Sequence, residues 1–195
     1  MELLTDTVAI ILHWGNPERT KGMLERFRRA YPKPDHPRVL VVENGPPTLA
    51  TDAYGVDDVR LPKNVGYGVG NNVGIRRALA DGAEFVVLLN NDIGIRPGIL
   101  EAMRAQARSP GVGLVGAVIQ EMGRQVYGGG RVSWFRLRAT LVADPVPPKT
   151  LHYIHGACLG IMRPCLERVG LLREDFFLYW EDTEYGLRAR RAGSA

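Results

Sequence analysis

Phe85-Val86-Val87-Leu88-Leu89-Asn90-Asn91-Asp92 decides how this chain folds. An apolar run of strand length stops abruptly in two amides and an acid. A strand that is apolar at every position is covered on both faces, as in a mostly parallel sheet with helices on each side. In such sheets ligands bind beyond the carboxyl ends of the strands, so Asp92 stands where a ligand would be held. A second apolar run, Phe176-Phe177-Leu178-Tyr179-Trp180, ends in Glu181-Asp182 and suggests a second acidic rim. One rim suited to a divalent cation and one suited to accepting a proton point to group transfer from a phosphorylated donor.

Outward from that strand, Val8-Ala9-Ile10-Ile11-Leu12 and Val39-Leu40-Val41-Val42 read as two more buried strands. Between them Asn16 can cap a helix that opens at Pro17. Met23, Leu24, Phe27 and Tyr31 share one face of that helix, and Pro32, Pro34 and Pro37 end it. A β-α-β unit of this kind makes its two strands parallel. Val59-Arg60-Leu61 is a short extended run, and the Gly-rich segment 66–74 leads into a helix with Ile75, Ala78 and Leu79 turned inward. Pro97 opens another helix carrying Ile99, Leu100 and Met103, closed near Ser109-Pro110-Gly111. In the second half, Leu114–Ile119 is expected as a strand. The triplet Gly128-Gly129-Gly130 is expected as a hairpin or bend between Gln125–Tyr127 and Val132–Trp134. Residues 144–149 form a stiff loop, Leu151–His155 and Leu159–Met162 are short strand candidates, and a last helix runs from near Glu181 to Ala192.

At 195 residues, 45% hydrophobic and 24% charged, the chain is expected to fold as one α/β domain over residues 1–195 rather than to stay disordered. The formal charge of +4 is modest, and the Arg26, Arg28 and Arg29 cluster, diluted by Glu25, reads as a solvated helix face. Nucleic-acid binding is thereby disfavoured. Cys158 and Cys165 have no metal-ligand companions and read as two core thiols in a reducing cytosol. No apolar run approaches the ~20 residues needed to cross a bilayer. The expectation is a soluble chain, with peripheral membrane contact left open.

Each candidate residue has a plain structural reading beside the chemical one. Asp92 can hold Mg2+ or Mn2+ against a diphosphate, or it can cap a turn. The segment Asn64-Val65-Gly66-Tyr67-Gly68-Val69-Gly70-Asn71-Asn72 offers close backbone approach and a helix start to an anion. It equally reads as a structural turn: Val73 or Asn71 stands where a dinucleotide fingerprint needs its third glycine, and no P-loop Lys follows. Glu181-Asp182 can supply a general base, its proton affinity raised by the aromatic run before it, or can simply complement a helix dipole. Spacing does not say which acid points inward. Glu184 and Arg188 read as an ordinary surface ion pair. His13 and Glu43 end the first two strands at the same rim, Glu43 able to accept hydrogen bonds from a nucleobase or to sit in a Gly-Pro turn.

Taken in order, these segments resemble the inverting family 2 glycosyltransferases with a GT-A fold, in particular their bacterial rhamnosyltransferase-like branch. The likeness is carried by Val8–Asn16, Val39–Gly45, Asn64–Ala78, Leu88–Asp92, His155–Arg163, Val169–Asp182 and Leu187–Gly193. It implies a Rossmann-type mixed, mostly parallel sheet flanked by helices, and a nucleotide-diphosphate sugar donor. The acceptor hydroxyl would be on a saccharide or lipid-linked saccharide, in cell-surface polysaccharide synthesis. His13 and Glu43 would lie beside the base, and Asn64 and Asn72 near the nucleoside. Asn90 and Asp92 occupy the two acidic positions of the family's DXD-type motif, with Asp92 on the metal (Mn or Mg). Gly156 and Ala157 would border the sugar, Trp180 and Glu181 would line the acceptor approach, and Asp182 would be the catalytic base. The work implied is cytoplasmic, at the inner membrane face. Asn90 departs from the acid of the wider superfamily. The chain also stops at Ala195, where relatives continue, so it reads as a truncated or minimal catalytic core. A nucleotidyltransferase and a noncatalytic sugar-nucleotide-binding module are the rival readings.

Overall fold

The structure, a computed structural model, describes residues 4–32, 37–121, 124–126, 128–136, 138–142, 147 and 150–194. Its strands are β1 (Thr7–His13), β2 (Arg38–Asn44), β3 (Asp57–Leu61), β4 (Phe85–Asn90), β5 (Leu114–Gly116), β6 (Ile119–Glu121), β7 (Arg124–Val126), β8 (Gly129–Ser133), β9 (Arg138–Leu141), β10 (Tyr153–Ile154) and β11 (Cys158–Met162). The helices are α1 (Pro17–Ala30), α2 (Tyr67–Ala80), α3 (Ile99–Ala107), α4 (Arg163–Val169) and α5 (Glu181–Arg191).

The main sheet has six strands in the order β3-β2-β1-β4-β11-β5. β1 to β4 are mutually parallel, and β11 runs antiparallel between β4 and β5. This is the mixed, mostly parallel sheet that the sequence predicts. Alternation along the strands divides the core in two. Ala9, Ile11, Val41, Phe85, Val87 and Leu89 pack with Met23, Leu24 and Phe27 of α1 and Leu100 and Met103 of α3. Val8, Ile10, Val42, Val86 and Leu88 pack on the other side with Ile75 and Ala78 of α2, Leu166 of α4 and Tyr185 and Ala189 of α5. Both faces are covered, which is why these strands read as unbroken apolar runs. Asn16 caps α1 as expected, its Oδ1 accepting from Glu18 N at 2.9 Å.

Two expectations need correction. Leu114–Ile119 is two strands, since β5 pairs only with β11 and the chain then turns to build the β6–β7 hairpin. Gly129 and Gly130 are strand residues of β8, paired with β9 and β10, not a bend. A Cβ on Gly130 would sit 2.5 Å from the Tyr153 ring, so the glycine makes room for an aromatic side chain. The segment Phe176–Trp180 is irregular, and Phe177 to Trp180 are exposed. α4 was not anticipated. Tyr127 and most of the 144–149 loop lie outside the described residues.

Candidate active site

Strand order reverses between β1 and β4, and their C-terminal ends, His13 and Asn90, open the crevice where parallel α/β sheets take ligands. On the far side of β4, β11 begins directly after the turn 155–157. Asn90 N donates to Ala157 O at 3.0 Å, which fixes that turn against the end of β4. The next residue back, Gly156, donates its N–H to Asp182 Oδ2 at 2.9 Å. One turn therefore joins the Asn90–Asp92 rim to the start of α5, twenty-six residues beyond Gly156. The two acidic segments, far apart in sequence, share this edge of the sheet.

Asp182 accepts from Gly156 on one oxygen and from Thr183 N at 2.5 Å on the other. Tyr67, at the start of α2, donates its hydroxyl to Gly156 O at 2.7 Å and so holds the same peptide from its other side. Burial, reinforced by the carboxyls of Asp182 and Glu181, raises the Tyr67 phenol well above its ordinary value, so it stays a donor. Of the adjacent acids it is Glu181 that points inward: it is 5% exposed and its Oε2 is buried without a hydrogen-bond partner. Burial raises its proton affinity, its own backbone amide opposes the shift, and Asp182 adds to it. Glu181 is therefore not on the acceptor approach expected of it. The chain enters α5 through Tyr179 and Trp180, both left-handed at φ 68 and 73, and this twist turns Glu181 into the core while half-exposing Trp180.

Asp92 is exposed, with Arg19 Nη1 3.9 Å from its Oδ2. His13 and Glu43 are buried and work as struts. Asn91 Nδ2 donates to Thr20 Oγ1 at 2.9 Å. This leaves the Thr20 hydroxyl hydrogen for His13 Nδ1 at 2.7 Å, and His13 Nε2–H for Thr48 Oγ1 at 2.8 Å. That assignment satisfies all three side chains. Burial lowers the His13 imidazole below its usual value although Glu43 pulls it up. Glu43 Oε1 accepts from Thr48 N and Leu49 N, and Arg60 Nε lies 3.3 Å from its other oxygen. Both residues hold the loop after β2: the two His13 ring nitrogens and Glu43 Oε1 bond within the protein, while the buried Glu43 Oε2 has the Arg60 charge beside it but no hydrogen-bond partner. Above them the Trp14 ring, 55% exposed, lies over Gly45, where a Cβ would meet it at 2.6 Å.

Asn64 and Asn72 part company. Asn64 Oδ1 accepts from Asn44 Nδ2 and Gly66 N at the rim. Asn72 is wholly buried, donating to Leu172 O and Glu174 Oε1 and accepting from Leu172 N, so it anchors the chain before α5 and offers nothing to a nucleoside. The N-terminus of α2 is likewise covered: Tyr67 N donates to Phe177 O at 2.8 Å, and a Cβ on Gly66 would lie 2.5 Å from that carbonyl. The glycines serve this close approach, not an anion. Arg188 also exceeds its expected role. Besides Glu184 it donates to Val169 O and Leu171 O, both at 2.7 Å, tying α5 to the end of α4. Sequence reasoning missed Trp14, Arg19, Thr20 and Tyr67. Only Trp14 carried a signal, as a large apolar residue at a strand end.

The sheet has the arrangement of the GT-A fold. Residues 9–170 match the family described as Glycosyl transferase family 2, and the chain belongs to that family. It is 26% identical over 199 residues to a low-salt glycan biosynthesis hexosyltransferase of Haloferax volcanii, covering 97% of this chain and 63% of that protein. It is 27% identical over 190 residues to the N-acetylglucosaminyl-diphospho-decaprenol L-rhamnosyltransferase of Mycobacterium tuberculosis, covering 80% of this chain and 61% of that one. The chain thus spans about three-fifths of the length of these relatives. Its fold is that of GalNAc-T7, crystallised with UDP, GalNAc and Mn2+: TM-score 0.75 at 12% identity, over 95% of this chain and 40% of that one. It also matches a Pyrobaculum calidifontis mannosyltransferase in complex with GDP-Man and Mn2+, with TM-score 0.63 at 18% identity, over 92% of this chain and 50% of that one.

Proposed function

We propose that this chain is the catalytic core of an inverting glycosyltransferase that moves a sugar from a nucleoside-diphosphate donor to a hydroxyl acceptor. The observation that carries the reading is the turn at 155–157, bonded on one side to the Asn90–Asp92 rim and on the other to Asp182. A sugar bordered by Gly156 and Ala157 would have the leaving diphosphate toward Asp92 and the acceptor toward Asp182. The base would lie over Trp14, with His13, Glu43 and Asn64 shaping the loops around it.

In this mechanism Asp182 takes the acceptor hydroxyl proton as that oxygen bonds to the anomeric carbon. The anomeric carbon–oxygen bond breaks on the opposite face, its electron pair leaves with the diphosphate, and configuration inverts. A positioned base of this kind contributes about 10²–10⁴ in rate. The rim fits a cation that arrives with the donor: Asp92 gives one exposed carboxylate beside Asn90, and among the described residues no group of three His, Cys, Asp or Glu forms a preformed cage. When bound there, Mg2+ or Mn2+ supplies charge neutralisation to the diphosphate. Arg19 is near enough to Asp92 to add its charge.

The acceptor reading follows the relatives: a saccharide carried on a lipid diphosphate, in cell-surface glycan synthesis at the inner face of a membrane. Among the described residues no helix is long and apolar enough to cross one. The test is a thermal-shift panel of UDP-, GDP- and dTDP-sugars with and without Mn2+. Stabilisation by one nucleotide class, strengthened by the metal, is expected, and a flat response across the panel would overturn the proposal. Binding without transfer to any saccharide acceptor would favour a noncatalytic module.

A further inference from the structure

We infer that the β8–β9 hairpin, together with the basic end of α5, is a docking surface for an anionic phospholipid bilayer. It deepens the membrane-face part of the function proposed above by naming the surface responsible. The hairpin turns at Trp134-Phe135-Arg136, where Arg136 N meets Ser133 Oγ at 3.4 Å. At its tip Phe135 is 98% exposed and Trp134 61%, the two most exposed of the aromatic side chains that stand clear of the Tyr179 segment. Two large apolar rings thus stand open to solvent at the turn of the hairpin.

The charged residues of the hairpin itself are all basic: Arg131, Arg136 and Arg138, with no Asp or Glu among residues 128–142. The pairs Ser133↔Arg138 and Arg131↔Thr140 put Arg131 and Arg138 on the same face of the hairpin, since directly paired residues share a face. Arg190 and Arg191, exposed at the end of α5, extend the basic surface. Trp134, His152, Leu187, Arg190 and Arg191 line an open depression of about 280 Å³ beside the hairpin and the end of α5. Val132 N donates to His152 Nδ1 at 2.8 Å, so the neutral ring carries its proton on Nε2 as a donor. Arginine and an imidazole N–H above an indole and a leucine suit a phosphate headgroup with its first methylenes. Aromatic rings flanked by arginines are the composition of an interfacial membrane contact. Basic side chains near a bilayer surface are drawn to its anionic lipids.

The experiment is co-sedimentation of the full chain with vesicles of phosphatidylglycerol and phosphatidylcholine, against vesicles of phosphatidylcholine alone. Binding to the anionic vesicles only is expected. Arg136→Glu with Arg138→Glu should lower the partition coefficient at least about tenfold, and Phe135→Ser should weaken it at both low and high salt. All positions changed are exposed, and an unchanged unfolding midpoint verifies that the variants are folded. No binding to anionic vesicles, equal binding to both vesicle types, or binding unaltered by both sets of variants would each overturn the inference. No nucleotide sugar enters this assay, so its failure leaves the donor-binding panel standing, and the reverse also holds.

Discussion

Asp182→Asn separates the two things that Asp182 does. The carboxylate gives one oxygen to Gly156 N at 2.9 Å and the other to Thr183 N at 2.5 Å. An amide has a single acceptor oxygen, so in the variant one of these backbone N–H groups must face an NH2. Losing a hydrogen bond of this kind, with its donor left unpaired, costs about 2 kcal/mol. For a chain of this size that lowers the unfolding midpoint by about 4–8 °C. If Asp182 is the base, transfer falls by a further factor of about 10²–10⁴. The donor contacts proposed at Asp92 and Trp14 are untouched, so donor affinity should hold. Calorimetry with the donor, scanning calorimetry of the free protein and a transfer assay well below both midpoints resolve the three effects. Transfer within about tenfold of the parent would remove Asp182 from the base role. An unchanged midpoint would show that the bond to Gly156 contributes nothing in solution.

Three further outcomes are expected. Asp92→Ala should abolish the Mn2+-dependent part of donor stabilisation while leaving the metal-free midpoint near that of the parent; a metal increment that survives would move the cation elsewhere. Glu181 has a folded-state pKa raised above 4.5, chiefly by burial, so its contribution to stability is present below that value and is lost as pH rises through the folded pKa. Glu181→Gln should therefore gain on the parent progressively from pH 4.5 toward neutrality, and a midpoint difference that is flat with pH would contradict that environment. Arg188→Met removes bonds to Glu184, Val169 O and Leu171 O. It should cost about 3 kcal/mol in chemical denaturation, whereas a loss near the ~0.5 kcal/mol of an exposed i,i+4 pair would return Arg188 to the helix surface.

The parallel sheet was legible because its central strands are covered on both faces, so β1, β2 and β4 stand out as apolar runs with nothing polar until the rim. What misled were residues whose use depends on a distant partner. Gly129 and Gly130 look like turn formers until Tyr153 is placed against them. α4 has seven residues and two buried side chains, too few for a helical period to register. At the site, polarity at a strand end was visible but its direction was not. The family likeness implies ligand contacts at His13, Glu43 and Asn72, yet buried polar groups need partners, and most of theirs are hydroxyl, backbone and charged groups of this chain. The link from Gly156 to Asp182 follows from no local pattern: the acids after the aromatic run marked Glu181-Asp182, and only the family likeness pointed at Gly156.

The approach to α5 is fastened at three points: Arg188 grips the carbonyls of residues 169 and 171, Asn72 clasps residue 172, and residue 177 is pinned by the amide of Tyr67. Leu178, Tyr179 and Trp180 lie between the last of these points and the start of α5. Two of these carry a left-handed backbone without being glycine, a state that costs on the order of 1–3 kcal/mol each. A glycine at either position would relieve that twist, so the backbone cost at the entry to α5 is set by the side chains of Tyr179 and Trp180.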